Sequence, residues 1–383
     1  MKNVSRILPL YTADTSGVCS ALYELGGMTV VHDASGCNST YTTHDEPRWY
    51  DMRSKIYISA LTELDAVMGN DEKLISDIVS CAADQEPEFI AVCGSPMPMM
   101  TGVDFDAIAA EVADRSGIRT IPLHTNGTRS YIEGASEAFL EIVKAYAREC
   151  HRTERLGVNV FGATPLDLPL GSDQSLRRWL EENGMELVCC LAMGSSLEDV
   201  RRAPSARVDL VVSQSGMAAA EYMKEKYGIP YVCGVPFGKG FAKHLAGHIR
   251  SAACDTSGSC PPFVLPCDGF DDADTVVIGE SISAGSLTAA LWFDMKIAAK
   301  PVCTLESHRF FCRRAGGVIS AEEDLEAYLS GHKPGTVIAD PLYRYIVPRD
   351  VKFIPLPHFA FSGRCFQRDM RDLINTEIKE YFK

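Results

Sequence analysis

The sequence predicts an α/β fold of three doubly wound, Rossmann-like domains with parallel sheets and a cleft between them. Three observations predict it. Short apolar runs recur along all 383 residues. Most of them are followed by stretches of roughly ten to fifteen residues with helical spacing, the alternation that βαβ winding requires. A chain of this length can also bury two or three separate cores.

The elements follow in order. Ser5 to Leu8 reads as a short strand closed by Pro9, and a helical stretch through Cys19 to Leu25 stops at Gly26-Gly27. Strand Met28 to Val31 enters a small-residue turn that ends on Cys37, and a polar, aromatic loop over 40–50 follows, suited to a lid or a docking surface. Leu61 to Met68 reads as a strand running into Gly69, followed by a helix from Asp71 through Val79. Strand Phe89 to Val92, helix Asp104 to Ser116, strand Arg119 to Leu123 and helix Tyr131 to Arg148 complete a first domain, 1–155.

The charged stretch 149–155 marks a boundary. Strands Gly157 to Gly162, Met185 to Cys190, Val208 to Val212 and Tyr231 to Val235 then alternate with helices Asp173 to Asn183, Ser196 to Ala203, Gly216 to Tyr227 and Gly238 to Ala252. These make a second domain, 156–272, closed by a Cys- and Pro-rich linker from Cys254 to Phe270. A third domain, 273–383, holds strands at Thr275 to Gly279, Lys300 to Thr304, Thr336 to Ala339 and Val351 to Pro355. Its helices are one after Glu280, one from Ala321 to Ser330 and a C-terminal one from Gln367 to Phe382.

Composition narrows the function. A formal charge of −14 and a pI near 5.1 argue against a nucleic-acid or anionic-membrane surface, because phosphates need clustered Lys and Arg. There is no run of about 18 apolar residues and no signal-peptide core near Met1, so a cytoplasmic location is expected. Fourteen cysteines with no CxxC pair suit reduced thiols rather than a disulfide framework. Cys81, Cys150, Cys189, Cys190, Cys233 and Cys254 read as small buried hydrophobes.

Cys37 and Cys93 are different, since each closes an apolar strand where turn N–H groups can hydrogen-bond to sulfur. Iron–sulfur ligands are presented in that way, so both are read as one metal site. No nucleophile elbow, His-Glu-x-x-His or Walker loop is present to suggest hydrolysis or nucleotide binding.

Three stretches give the chain a likeness. Val31-His32-Asp33-Ala34-Ser35-Gly36-Cys37 resembles the strand-His-Gly-x-x-Gly-Cys ligand turn of the nitrogenase component 1 superfamily. Leu61 to Gly69 with Lys73-Leu74 is similar to its Glu-x-Asp-x-x-x-Gly-Gly-x-x-Lys-Leu segment. Cys93 followed by Gly102-Val103-Asp104 is like its cysteine ligand and Gly-Asp-Asp helix start, and Glu225 to Tyr231 is close to a helix-to-strand junction of its middle domain.

The resemblance implies a cluster held by Cys37 and Cys93. The family's first cysteine falls here on Thr12, with Cys19 the nearest thiol. Cys19 is either a third ligand or a buried helix residue, and Asp14 is an outside candidate. Two protomers offering Cys37 and Cys93 would bridge one 4Fe-4S cluster, and Cys19 would add the thiolates a larger cluster at a dimer interface uses. Ser213 stands where the family binds its molybdenum cofactor through cysteine, and the family's histidine ligand maps within one residue of His358. Dinitrogen is therefore not the expected substrate.

The implied function is the catalytic component of a two-component reductase. Its electrons would come from a nitrogenase-reductase-like iron–sulfur ATPase, and its second subunit would be another copy or a paralogous component 1 chain. A small substrate would lie between the domains, near His32, His44, Ser213, His358 and Arg364, with Arg364 suited to a carboxylate. Two alternatives stand beside it: a non-catalytic scaffold or carrier for a metallocofactor or tetrapyrrole, and a binding protein without a cluster.

Overall fold

The structure is a computed structural model that describes residues 7, 12–34, 36, 41, 45–255, 273–305, 319 and 321–382. The strand expected over Ser5 to Leu8, most of the linker after Cys254, Cys37 and His44 lie outside the described residues.

Three four-stranded parallel sheets follow one another along the chain. In the first, β1 (Met28–His32), β2 (Ile56–Ile58), β3 (Ile90–Gly94) and β4 (Thr120–Leu123) lie in the order β2-β1-β3-β4. The second holds β5 (Leu156–Ala163), β6 (Met185–Ala192), β7 (Val208–Val211) and β8 (Tyr231–Cys233), and the third β9 (Thr275–Gly279), β10 (Ala299–Cys303), β11 (Thr336–Ala339) and β12 (Lys352–Pro355). Their orders, β6-β5-β7-β8 and β10-β9-β11-β12, repeat the first. Each sheet therefore reverses direction between its first and third strands, and that reversal opens a crevice beyond their carboxyl ends.

Apolar runs form these strands because both faces are covered. In the first sheet Val31, Ala91 and Cys93 pack toward α1 (Asp14–Leu22) and the later helix Tyr131–Tyr146, while Met28, Val30, Ile90 and Val92 pack on the opposite side. The two helices on the first side cross with their backbones touching. A Cβ on Gly17 would collide with the Tyr131 carbonyl, and one on Gly134 with the Asp14 carbonyl. Beyond β1, Arg48 ties the chain down: its buried guanidinium bonds Glu46 Oε1 (2.7 Å), Glu24 Oε1 (2.9 Å) and the Ser20 carbonyl (2.6 Å).

Two expected elements are corrected. Leu61 to Met68 is not a strand; α2 occupies Glu63–Met68. Thr62 caps it by accepting from the Asp65 N–H (3.2 Å) while its hydroxyl donates to the Asp65 carboxylate (2.7 Å), and Gly69 ends it at φ 70°. That reciprocal cap outweighs the strand-like run of apolar residues. The C-terminal helix from Gln367 is also absent: a tight turn over Gly363–Asp369 leads into extended chain with Asn375 at φ 53°. Here the Asn375 N–H donates to Pro236 O (2.8 Å) and the Gly238 N–H to Leu373 O (3.0 Å). Backbone pairing and burial of Leu373, Ile374, Ile378 and Phe382 override helical spacing. Among the cysteines read as buried, Cys189, Cys190 and Cys233 are so; Cys81 is half-buried, and Cys150 and Cys254 are exposed because they fall outside the strands.

Within the second sheet Asn159 and Asp209 stand side by side on β5 and β7, both fully buried. Asn159 Nδ2 donates to Asp209 Oδ1 (2.7 Å), leaving Asn159 Oδ1 and Asp209 Oδ2 without partners. Burial pushes the Asp209 carboxyl well above its ordinary range, and a proton on Oδ2 supplies the donor that Asn159 lacks. The folded chain then keeps a proton that the unfolded chain releases, so stability falls as pH rises above the ordinary aspartate range. Asp209→Asn, which pairs as an amide, is expected to hold stability and flatten this slope. Asp209→Ala should cost about 1–3 kcal/mol in denaturant unfolding, because it leaves one Asn159 N–H without a partner while the other keeps the Ala203 carbonyl (2.9 Å).

Candidate functional site

The crevices of the second and third sheets face one another. Four of the polar residues there follow the central strands: Asp167 comes after β5, Ser213 after β7, Glu280 after β9 and Asp340 after β11. Opposed carboxyl-end crevices are where doubly wound sheets hold ligands. The cavity between them measures about 50 Å³, with Asp167, Glu280, Asp340 and His358 on its polar wall and Phe237, Ile278, Leu356 and Phe361 on its apolar one.

Each acid is held by named donors. Glu280 accepts from the N–H groups of Gln214 (3.0 Å), Ile282 (3.0 Å) and Ser283 (2.8 Å), which fastens the β7 turn to the helix Ser281–Ala290. Asp340 accepts from the His358 N–H (2.9 Å) and the Ser362 hydroxyl (2.8 Å). Asp167 accepts from Thr164 Oγ1 (3.0 Å) and from Tyr131 Oη, which approaches to 2.5 Å from the first residue of the helix Tyr131–Tyr146. His358 Nε2 stands 3.4 Å from Asp167 Oδ1, and neither ring nitrogen has a hydrogen-bond partner. Glu280 is fully buried, and burial together with the charge of Asp167 pushes its carboxyl up to about 7.

The sequence-derived site residues divide among several places. His358 lines the cavity. Ser213 is buried in the turn that supplies Gln214, but its hydroxyl accepts within that turn from the Ser215 N–H (3.4 Å) and Oγ (3.1 Å). Arg364 lies outside the cavity wall, with Nε 3.1 Å from Asp45 Oδ1. His32 ends β1 and lines a different pocket of about 270 Å³, walled by Asp65, Lys73 and Asp104. Its Nδ1 meets Ser59 Oγ at 2.8 Å, and burial lowers its proton affinity.

Iron–sulfur chemistry asks for soft sulfur donors. Cys19 on α1 and Cys93 on β3 share the apolar layer beneath α1, both fully or nearly fully buried. Burial pushes the Cys93 thiol up to about 12, and the Cys19 thiol is raised well above its usual value by burial and by Cys93. The donor set fits such a cluster in kind. Among the described residues no group of three or more His, Cys, Asp or Glu side chains could hold a metal, and Cys37 lies outside them. Asp14 is spent elsewhere, accepting from the N–H groups of Asn126 (2.9 Å) and Gly127 (2.7 Å).

Near the β1 and β3 ends, α2 and the short helix Pro96–Thr101 pack together and expose Leu64, Val67, Met68, Met99 and Met100. Val67 is 82% exposed and Met100 81%. Contiguous exposed apolar side chains mark interaction surfaces.

Sequence reasoning missed Tyr131, Asp167, Glu280 and Asp340. For the last two the signal was an acid just past an apolar strand end, as in Ile278-Gly279-Glu280 and Ile338-Ala339-Asp340, which a single sequence does not separate from an ordinary helix cap.

Fold and site together define a three-sheet α/β protein with a buried acid and histidine cavity between two sheets. The family model "Nitrogenase component 1 type Oxidoreductase" matches residues 17–245, more than half of the chain, and the chain belongs to that family. It is 26% identical over 230 residues to the nitrogenase iron-molybdenum cofactor biosynthesis protein NifE of Clostridium pasteurianum, covering 56% of this chain and 48% of that protein. It is 39% identical over 108 residues to a light-independent protochlorophyllide reductase component from Chlorobium phaeobacteroides (strain BS1), covering 28% of this chain and 20% of that protein. The chain thus spans half or less of the length of these curated relatives. The solved structure of nitrogenase Cp1 at pH 6.5 shares the fold, with TM-score 0.70 and 15% identity over 99% of this chain and 92% of that one. Among the described residues no helix is long and apolar enough to cross a membrane.

The burial of Glu280 has a measurable sign. Its folded value of about 7 lies above the ordinary 4.5, so the folded chain binds more protons in that window and stability falls as pH rises through it. The loss should approach roughly 3 kcal/mol. Glu280→Gln, which mimics the protonated form, should unfold with a markedly flatter pH dependence between those values.

Proposed function

We propose that this chain is the ligand-binding component of a nitrogenase-like two-component reductase, acting on a small substrate other than dinitrogen. Its electrons come from a nitrogenase-reductase-like iron–sulfur ATPase, and its cluster is held by Cys37 and Cys93 with Cys19 beside them. Family membership supports the reading, and the observation that carries it is the exposed patch of Leu64, Val67, Met68, Met99 and Met100 beside the β1 and β3 ends. Such a patch suits docking of a protein partner next to the proposed cluster. An iron–sulfur cluster supplies one-electron transfer when bound. The chain's own residues hold it by sulfur, exclude water from it through the layer under α1, and keep the substrate among Asp167, Glu280 and His358.

Residues 1–155, 156–272 and 273–383 are then three domains in a cytoplasmic homodimer or a pair with a paralogous component 1 chain. Arg364, near the C-terminal segment, serves a substrate carboxylate only after release from Asp45. A second reading, a scaffold that holds and passes on a metallocofactor or tetrapyrrole, is favoured by the relative named for cofactor biosynthesis and by a hydroxyl rather than a thiol at Ser213.

Anaerobically purified protein should contain iron and sulfide, and Cys37→Ser or Cys93→Ser should abolish its visible absorption while Cys81→Ser keeps it. Less than about one iron per protomer would overturn the cluster. Val67→Asp with Met100→Asp should keep the iron but slow partner-driven bleaching of that absorption by about tenfold or more. Bleaching without net turnover of any substrate would favour the scaffold.

A further inference from the structure

The pocket of about 270 Å³ at the carboxyl ends of the first sheet shares no wall residue with the cavity of His358. His32, at the end of β1, lines it and is 7% exposed, yet only one of its ring nitrogens is satisfied. The Ser59 hydroxyl donates to Asp33 O (3.3 Å) and accepts from the Asp33 N–H (3.1 Å), which assigns the proton of the 2.8 Å contact to His32 Nδ1. Nε2 is left with a bare lone pair and no partner among the described residues. A buried acceptor bordering a pocket calls for a donor inside it.

The surrounding charges define that donor. Asp65, Asp71, Asp77 and Asp104 line the pocket against a single cation, Lys73, which is already bonded to Asp65 at 2.9 Å. The amino ends of the helices Asp71–Gln85 and Phe105–Ser116 add roughly half a positive charge each, and the balance stays negative. Asp65 is spent, since it also holds Thr62 and Asn70, and Asp104 gives one oxygen to the Ala107 N–H (3.0 Å). Asp71, the charge that acts most strongly on His32, has no hydrogen-bonding partner among the described residues. No three of these groups, nor any others described, converge closely enough to hold a metal ion. Acceptors spread around a pocket instead suit an ammonium group, whose three N–H donors point in different directions. Leu61, Val67 and Val103 give an alkyl chain an apolar wall, and the pocket holds about nine non-hydrogen atoms.

We propose that this pocket binds a small aliphatic amine, a primary ammonium or diamine of about four to five carbons, with its charge met by the free carboxylates and one N–H donated to His32 Nε2. The site goes beyond the reductase reading and needs neither iron nor a partner. Its rim includes Val67 and Met68 of the exposed patch, so the occupant sits at the edge of that surface and not in the substrate cavity.

The test is calorimetric titration of 1,4-diaminobutane into the full chain at low ionic strength. Saturable one-site binding is expected, weakened about tenfold by Asp71→Asn with Asp104→Asn, in which asparagine preserves the helix cap at 104. Asp84→Asn with Asp114→Asn removes the same charge from exposed positions outside the pocket and should leave the affinity within about twofold. His32→Phe, which keeps a flat ring without the acceptor, should weaken binding by about threefold. The carboxylate variants carry the test should His32→Phe fail to fold. Equal binding of the uncharged 1,4-butanediol, displacement of the diamine by an equal concentration of magnesium, or an affinity unchanged by Asp71→Asn with Asp104→Asn would overturn the proposal. So would the absence of saturable diamine binding; if the same double replacement then slows partner-driven bleaching, the pocket receives a basic side chain of the protein partner instead.

Discussion

Buried carboxyl groups at the ends of strands and at a helix start are the constraint on which the rest of this structure depends. An acid taken out of water must recover its hydrogen bonds or lose its charge. Here the donors come from neighbouring elements: Asp33 accepts from Ser95 across the β1 and β3 ends (2.6 Å), Asp14 from the turn after β4, Glu280 from the β7 turn and Asp340 from the chain at His358. Since each of these acids takes at least one donor from a distant element, satisfying the acid fixes where the elements meet. The same requirement that orients the sheets therefore gathers Asp167, Glu280 and Asp340 around one cavity.

The buried acids differ in how many donors reach them, and burial pushes some of them toward the neutral form. Asp14 meets three backbone N–H groups, of Thr15, Asn126 and Gly127, and Arg129 at 3.4 Å. Asp209 meets one amide and is pushed toward the neutral form. Glu280 has three backbone donors and the Ser281 hydroxyl, yet burial and the charge of Asp167 still push its carboxyl up to about 7. Depth of burial and a neighbouring carboxylate, more than the number of donors, therefore decide which acid is pushed up.

How far the sequence revealed this follows from the same physics. Strands β5, β9 and β11 were legible because continuous apolar runs have one use when both faces are covered. Leu61 to Met68 and the C-terminal stretch were not. In the first, a side-chain cap spanning three residues decided between helix and strand; in the second, pairing of Ile374 with Phe237 and Gly238, far away in sequence, decided it. His358 was legible through its resemblance to a family motif, whereas Asp167, Glu280 and Asp340 take their meaning only from two sheets brought face to face. Ser213 shows the reverse: a position marked by likeness whose hydroxyl is bonded within its own turn.

The helix Tyr131–Tyr146 connects the thiol layer to the cavity. Its backbone meets α1 at Gly17 and Gly134, within one turn of Cys19, and its first residue sends a hydroxyl to Asp167. A packed core shifts between discrete arrangements rather than yielding smoothly. With no side chain between the two helices at their crossing, a displacement of α1 cannot be absorbed there by a change of rotamer and moves the helix that carries Tyr131. Tyr131 Oη holds the oxygen of Asp167 that stands 3.4 Å from His358 Nε2, so the environment of Cys19 and the cavity share one rigid element. The close crossing of two glycines thus constrains the site as directly as the residues that line it.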